Sequence, residues 1–154
     1  MNKPVWVLDT NVVLDLLHFD DAPARPVRLA LEDGRVRCVV AEGTLEELRR
    51  VLTYPEFALG PSQQVALLAR YQALCEMAAR IGVDPGLPVC SDPDDQKFIE
   101  LAAAVGAQAL VSKDRAVLKL RRRCAPQFQI MTPAEAVRWL DTLPERADQP
   151  ASCS

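Results

Sequence analysis

A chain of 154 residues, 49% of them hydrophobic, is long enough for one α/β domain to bury a core without disulfides or a structural metal. The charged fraction is 25% and the formal net charge −3, which excludes both a disordered polyelectrolyte and a generally basic nucleic-acid coat, so any nucleic-acid contact must be local. Five widely spaced cysteines without a CxxC pair, and the single histidine His18, disfavour zinc and read as reduced, mostly buried thiols.

The N-terminus reaches Asp9 before an apolar signal region can form, and no run of about 18 apolar residues follows, so a cytoplasmic protein with no membrane segment is expected. Val5, Trp6, Val7 and Leu8 form an apolar run ending at Asp9, the pattern of a strand buried on both faces. Asn11 to Leu17 and Pro26 to Leu31 carry apolar residues at helical spacing, and Asp33-Gly34 closes the second segment. Val36 to Ala41 is the second strand. Thr44 is placed to cap a helix through Leu45, Leu48, Val51 and Leu52, with Glu47 three residues on, until Pro55 stops it. Gly60-Pro61 opens a longer helix, predicted over Ser62 to Ile81.

Leu87, Val89 and Cys90 read as a short strand, followed by the acidic turn Asp92-Pro93-Asp94-Asp95 and a helix from Gln96 to Val105. Ala109 to Val111 is another strand, Ser112-Lys113-Asp114 its outgoing loop, and Ala116 to Leu120 a helix. Phe128 to Met131 is the last strand, and Thr132-Pro133 starts the last helix with Thr132 as N-cap. Strands alternate with helices, which predicts an α/β domain over residues 1–143, with a mainly parallel sheet between helical layers, and a polar tail over 144–154.

In such sheets ligands bind beyond the carboxyl ends of the strands. Those positions are acidic here: Asp9, the Asp92, Asp94 and Asp95 group, and Asp114, with Glu46 and Glu47 one turn into the helix after the second strand. Converging carboxylates repel one another unless a cation neutralises them, and an all-oxygen donor set without His or Cys favours Mg²⁺ or Mn²⁺. That points to phosphate chemistry through metal-activated water, since His18 lacks the imidazole partner a metal-free ribonuclease would use. Each acid also has a structural reading: Asp9 and Asp114 as helix caps, Asp92 to Asp95 as a capped turn.

The blocks LDTNVVLDLL, TLEELRRVL, SDPDDQKFIELAAA and LVSKDRAVL, in that order, resemble the PIN-domain superfamily, most closely the bacterial branch of toxin components of toxin–antitoxin systems. The resemblance spans roughly residues 5 to 140. It implies an α/β/α sandwich and an endoribonuclease that cleaves single-stranded RNA with Mg²⁺ or Mn²⁺ and leaves a 5′-phosphate. It further implies that Asp9, Glu47, Asp95 and Asp114 are the catalytic acids, with Asp9, Asp92, Asp95 and Asp114 facing the metal and Asn11 and Ser112 orienting them. Within the Glu46/Glu47 pair the assignment stays open. A cognate antitoxin and a homodimer are the partners the resemblance implies.

Arg121-Arg122-Arg123 and Arg49-Arg50 lie near acidic blocks and are candidates for a phosphate groove, against a solvated helix end; Lys113 is a candidate phosphate contact. Trp6 and Trp139 read as core or interface residues. A haloacid-dehalogenase-type phosphatase would need a second Asp where Asn11 stands, and a receiver domain an acidic pair after its first strand. The remaining alternative is a PIN-like module that binds RNA or protein with little or no catalysis.

Overall fold

A computed structural model describes residues 3–19, 21–79, 81–82 and 84–143. The tail expected from Pro144 onward lies outside the described residues. Five parallel strands, β1 (Val5–Leu8), β2 (Arg37–Val40), β3 (Cys75–Met77), β4 (Ala109–Val111) and β5 (Gln129–Met131), form one sheet in the order β3-β2-β1-β4-β5. The order runs outward from β1 in one direction and then, from β4, in the other. The gap between the ends of β1 and β4 is therefore the topological switch point, where the loops part and leave a crevice.

Alternation along the strands sends Trp6 and Leu8 to one face and Val5 and Val7 to the other, each into its own core. On the first face lie residues of α1 (Thr10–Leu17), α2 (Arg25–Glu32), α3 (Glu42–Val51), α4 (Pro61–Leu74) and α8 (Pro133–Leu140). On the second lie α5 (Gln96–Ala104), α6 (Arg115–Leu118) and α7 (Arg121–Cys124). The predicted three-layer α/β/α arrangement is the observed one. Thr132 caps α8 as expected: its hydroxyl accepts from the Glu135 amide at 3.2 Å while the Glu135 carboxylate accepts from the Thr132 amide at 2.9 Å. Gly106, at φ +65°, takes the left-handed turn after α5 that a side chain would resist.

The short helix α7 was not expected after Leu120, and two further segments differ from the sequence reading. The long helix stops at Leu74, and Cys75–Met77 becomes the edge strand β3. Three residues are too few for periodicity to separate strand from helix. What holds them is tertiary: Arg37 donates to both Glu76 carboxylate oxygens at 2.8 and 2.6 Å, and Cys75 stands opposite Cys38 in register. Leu87 to Cys90 is not a strand. Pro88 has no amide for a ladder, and the Gln96 side chain takes the backbone instead, accepting from the Cys90 amide at 2.6 Å and donating to the Pro88 carbonyl at 3.1 Å. Thr44 lies inside α3 rather than at its cap, and its hydroxyl accepts from the Ala41 amide at 3.0 Å.

Cys38, Cys90 and Cys124 are buried free thiols and Cys75 is a half-buried one. No helix among the described residues is long and apolar enough to cross a membrane. Trp6 is fully buried and its ring stacks on Trp139 with centroids 5.4 Å apart, which ties the central strand to the last helix. The Trp6 indole N–H has no hydrogen-bond partner. Trp6→Ala is expected to cost about 3–5 kcal/mol in urea unfolding, and Trp6→Phe clearly less, because it keeps most of the packing and removes the unpaired donor.

Candidate metal centre

The register Leu8↔Val111 decides where the first two polar side chains fall. Asp9 and Ser112 are the next residues on neighbouring strands, joined by the Asp9 amide donating to the Val111 carbonyl at 3.0 Å. Ser112 is fully buried and donates its hydroxyl to Asp9 Oδ2 at 2.6 Å. The same Ser112 oxygen accepts from the Asp114 amide at 3.0 Å, which makes a local turn of the loop after β4. Ser112 thus holds Asp9, the role the resemblance implies for it. Asn11 lines the cavity but, among the described residues, makes no hydrogen bond to the carboxylates. Thr10 does so in its place, donating to Glu47 Oε2 at 2.8 Å.

Glu47 and not Glu46 turns inward. Glu47 is buried on the inner side of α3, whereas Glu46 is exposed and paired with Arg49. Lys97, in the first turn of α5, reaches the other Glu47 oxygen at 2.5 Å. Asp95, at the entry to α5, is buried and makes no side-chain capping bond; its Oδ2 has no hydrogen-bond partner. Asp9 likewise occupies a helix N-cap position without capping with its side chain. Asp92 and Asp114 do cap, accepting from the Asp94 amide at 3.0 Å and the Ala116 amide at 2.8 Å. The structural readings of these residues thus separate: cap geometry uses oxygens of Asp92 and Asp114 and leaves Asp9 and Asp95 to the cavity.

One oxygen each from Asp9, Glu47 and Asp95 lies within 4.8 Å of the others, and the same is true of Asp92, Asp95 and Asp114. Asp95 belongs to both trios and joins them. The cavity they line, about 240 Å³, is completed by Thr10, Asn11, Asp94, Arg50, Val51, Tyr54, Glu56 and Phe57. Burial, together with the nearby Glu47 and Asp114 charges, pushes the Asp9 carboxyl up, against hydrogen bonds from Ser112 and the Thr10 backbone that hold it down. Burial first, then the side chain of Asp114 and the charges of Asp9 and Asp92, push Asp95 up to about 8. Crowded, buried carboxylates with an unpartnered oxygen and no sulfur or imidazole donor fit a hard divalent cation, which would supply the missing positive charge.

The predicted phosphate groove is divided. Arg50 lines the acidic cavity, but Arg49 pairs with Glu46 and Lys113 with Asp15 at 2.6 Å. Arg121 makes a two-pronged pair with Glu135 at 2.9 and 3.2 Å and, with Arg122, Arg138 and Trp139, lines a separate cavity along β5. Thr10 and Lys97 were missed in the sequence. Thr10 had a signal, its place inside the first acidic block; Lys97 had only its closeness to Asp95, since its partner is 50 positions away.

A family model described as PIN domain matches residues 5–116. Among curated proteins none matches the sequence. Among solved structures, the chain is similar to one in the crystal structure of VapBC2 from Rickettsia felis bound to a DNA fragment from their promoter. The two superpose with a TM-score of 0.57 over 83% of this chain and 98% of that one, at 16% identity.

With the Asp95 carboxyl at about 8 in the folded chain against an ordinary value of 3.8, the folded state holds this proton more tightly than the unfolded state. The stability so gained is complete below the ordinary value and is lost as the pH rises toward 8. In chelator, thermal unfolding is therefore expected to shift down by on the order of 5 °C between pH 5 and pH 8. Asp95→Asn should flatten that slope, and Mn²⁺ should raise the melting temperature more at pH 8 than at pH 5.

Proposed function

The chain belongs to the PIN-domain family, and from that premise we propose that it is a metal-dependent endoribonuclease acting on single-stranded RNA, the toxin of a toxin–antitoxin pair. The observation that carries this is the convergence of Asp9, Glu47 and Asp95 at the sheet's switch point, with a buried Asp95 oxygen that has no hydrogen-bond partner among the described residues. We assign Asp9, Glu47, Asp95 and Asp114 as the catalytic acids, with Asp92 as a further metal-facing residue. Mg²⁺ or Mn²⁺, when bound there, supplies an acidified water and positive charge opposite the phosphoryl oxygens.

The protein's own residues do the positioning. Ser112 holds Asp9 from behind, Thr10 holds Glu47, and the caps made by Asp92 and Asp114 fix one oxygen of each while the rest of the carboxylate faces the cavity. Arg50 is on the cavity wall, which supports a role for it in holding a phosphate of the substrate. Tyr54 and Phe57 put aromatic surface on the same wall, and the Phe57 ring contacts His18 and Phe19 at centroid distances of 5.8 and 6.1 Å. Rings beside a phosphate site favour unpaired bases, which supports a single strand over a duplex. The toxin reading takes support from the fold shared with a chain of the VapBC2 assembly, and it makes a small antitoxin protein the expected partner.

Labelled single-stranded RNA incubated with the folded protein should be cut with Mn²⁺ or Mg²⁺, and left intact with chelator or with Asp9→Asn. Ser112→Ala should reduce metal affinity or cleavage by about 10- to 100-fold, as loss of a group that orients a ligand does. Failure of folded, metal-loaded wild type to cut any RNA would contradict the assignment.

A further inference from the structure

Both oxygens of Glu47 are already engaged, Oε2 by the Thr10 hydroxyl at 2.8 Å and Oε1 by the Lys97 ammonium at 2.5 Å. Of the other basic side chains near the acids, Lys113 is paired with Asp15 and Arg49 with Glu46, while Arg50 lines the cavity without a salt bridge to its acids among the described residues. Among the described residues Lys97 is thus the cation that forms a salt bridge with the acidic cluster. It does so through Glu47, in the trio of Asp9, Glu47 and Asp95, while among the described residues no salt bridge reaches Asp92, Asp95 or Asp114.

We propose that Lys97 is a positioning residue whose ammonium is a resident counter-ion on Glu47, one that a divalent cation must displace to enter the Asp9–Glu47–Asp95 trio. This rests on the metal-dependent reading given above. A single positive charge on Oε1 lessens the repulsion among the acids when no metal is present, and so stabilises the cation-free fold. It also repels a divalent ion placed a few ångströms away, since the Coulomb interaction falls only as the inverse of the separation. The lysine stem is flexible and its side chain is 30% exposed, so the ammonium has a route to solvent or to a phosphate once displaced. Lys97 therefore sets how readily the trio takes its metal, trading affinity for stability of the empty protein.

Titration calorimetry with Mn²⁺ alone, on wild type, Lys97→Met, Lys97→Gln and Lys97→Arg, separates this role from a plain ion pair. Lys97→Met and Lys97→Gln should bind Mn²⁺ more tightly by about tenfold, yet melt at lower temperature in chelator. Lys97→Arg, which keeps the charge, should stay near wild type in both. Unchanged or weaker Mn²⁺ binding by the folded neutral variants would overturn the proposal and leave Lys97 a structural ion pair. Absence of Mn²⁺ binding by wild type above the level of Asp9→Asn would instead sink the metal reading on which it depends.

Discussion

Carboxylates whose oxygens lie within 4.8 Å of one another, in a pocket where Asp9, Glu47 and Asp95 are all buried, repel strongly. Much of the local architecture makes that crowding tolerable. Ser112 and Thr10 each donate a hydroxyl to an acid, Lys97 lends a positive charge, and Asp95 answers the remaining excess by holding its proton to about pH 8. A fold does not gain stability from such an arrangement, and the shortfall is what a bound divalent cation would make good.

The sheet makes the crowding possible. Because β1 and β4 are neighbours although 100 residues separate them, the chain leaves their ends in different directions and opens the crevice between. Pairing of Leu8 with Val111 brings Asp9 and Ser112 level, and a slip of either strand by one residue would send its side chain to the wrong face. Trp6 helps fix the position of β1 from below, through its stack on Trp139 and its full burial in the first core. Glu47 arrives on the second turn of α3 and Asp95 at the entry to α5, so their positions depend on packing of those helices against the sheet.

The parallel sheet and the acidic strand ends were legible in the sequence because both are local patterns: an apolar run of strand length, then an acid. The edge strand Cys75–Met77 was not, because its three residues continue a helical stripe and are recruited by contacts to Arg37 and Cys38 far away in the chain. Leu87 to Cys90 carried the opposite error: buried Leu87 and Cys90 imitate a strand, whereas Pro88 and the Gln96 side chain close the segment on itself. For the site, the acids were readable and the choice between Glu46 and Glu47 was not, since it turns on which face α3 buries. The basic residues were read least well. Proximity in sequence to an acidic block does not reveal that Lys113 turns to Asp15, Arg121 to Glu135, or Lys97 to Glu47.

If the acidic crevice at the switch point is a metal centre, a divalent ion must bind between its carboxylates. Crystals grown with Mn²⁺ and measured for anomalous scattering at the manganese edge test it directly. An anomalous peak within coordination distance of Asp9 and Asp95, with Lys97 moved off Glu47, is the predicted result. A fully ordered crevice with no peak at saturating Mn²⁺, and Lys97 still seated on Glu47, would contradict it.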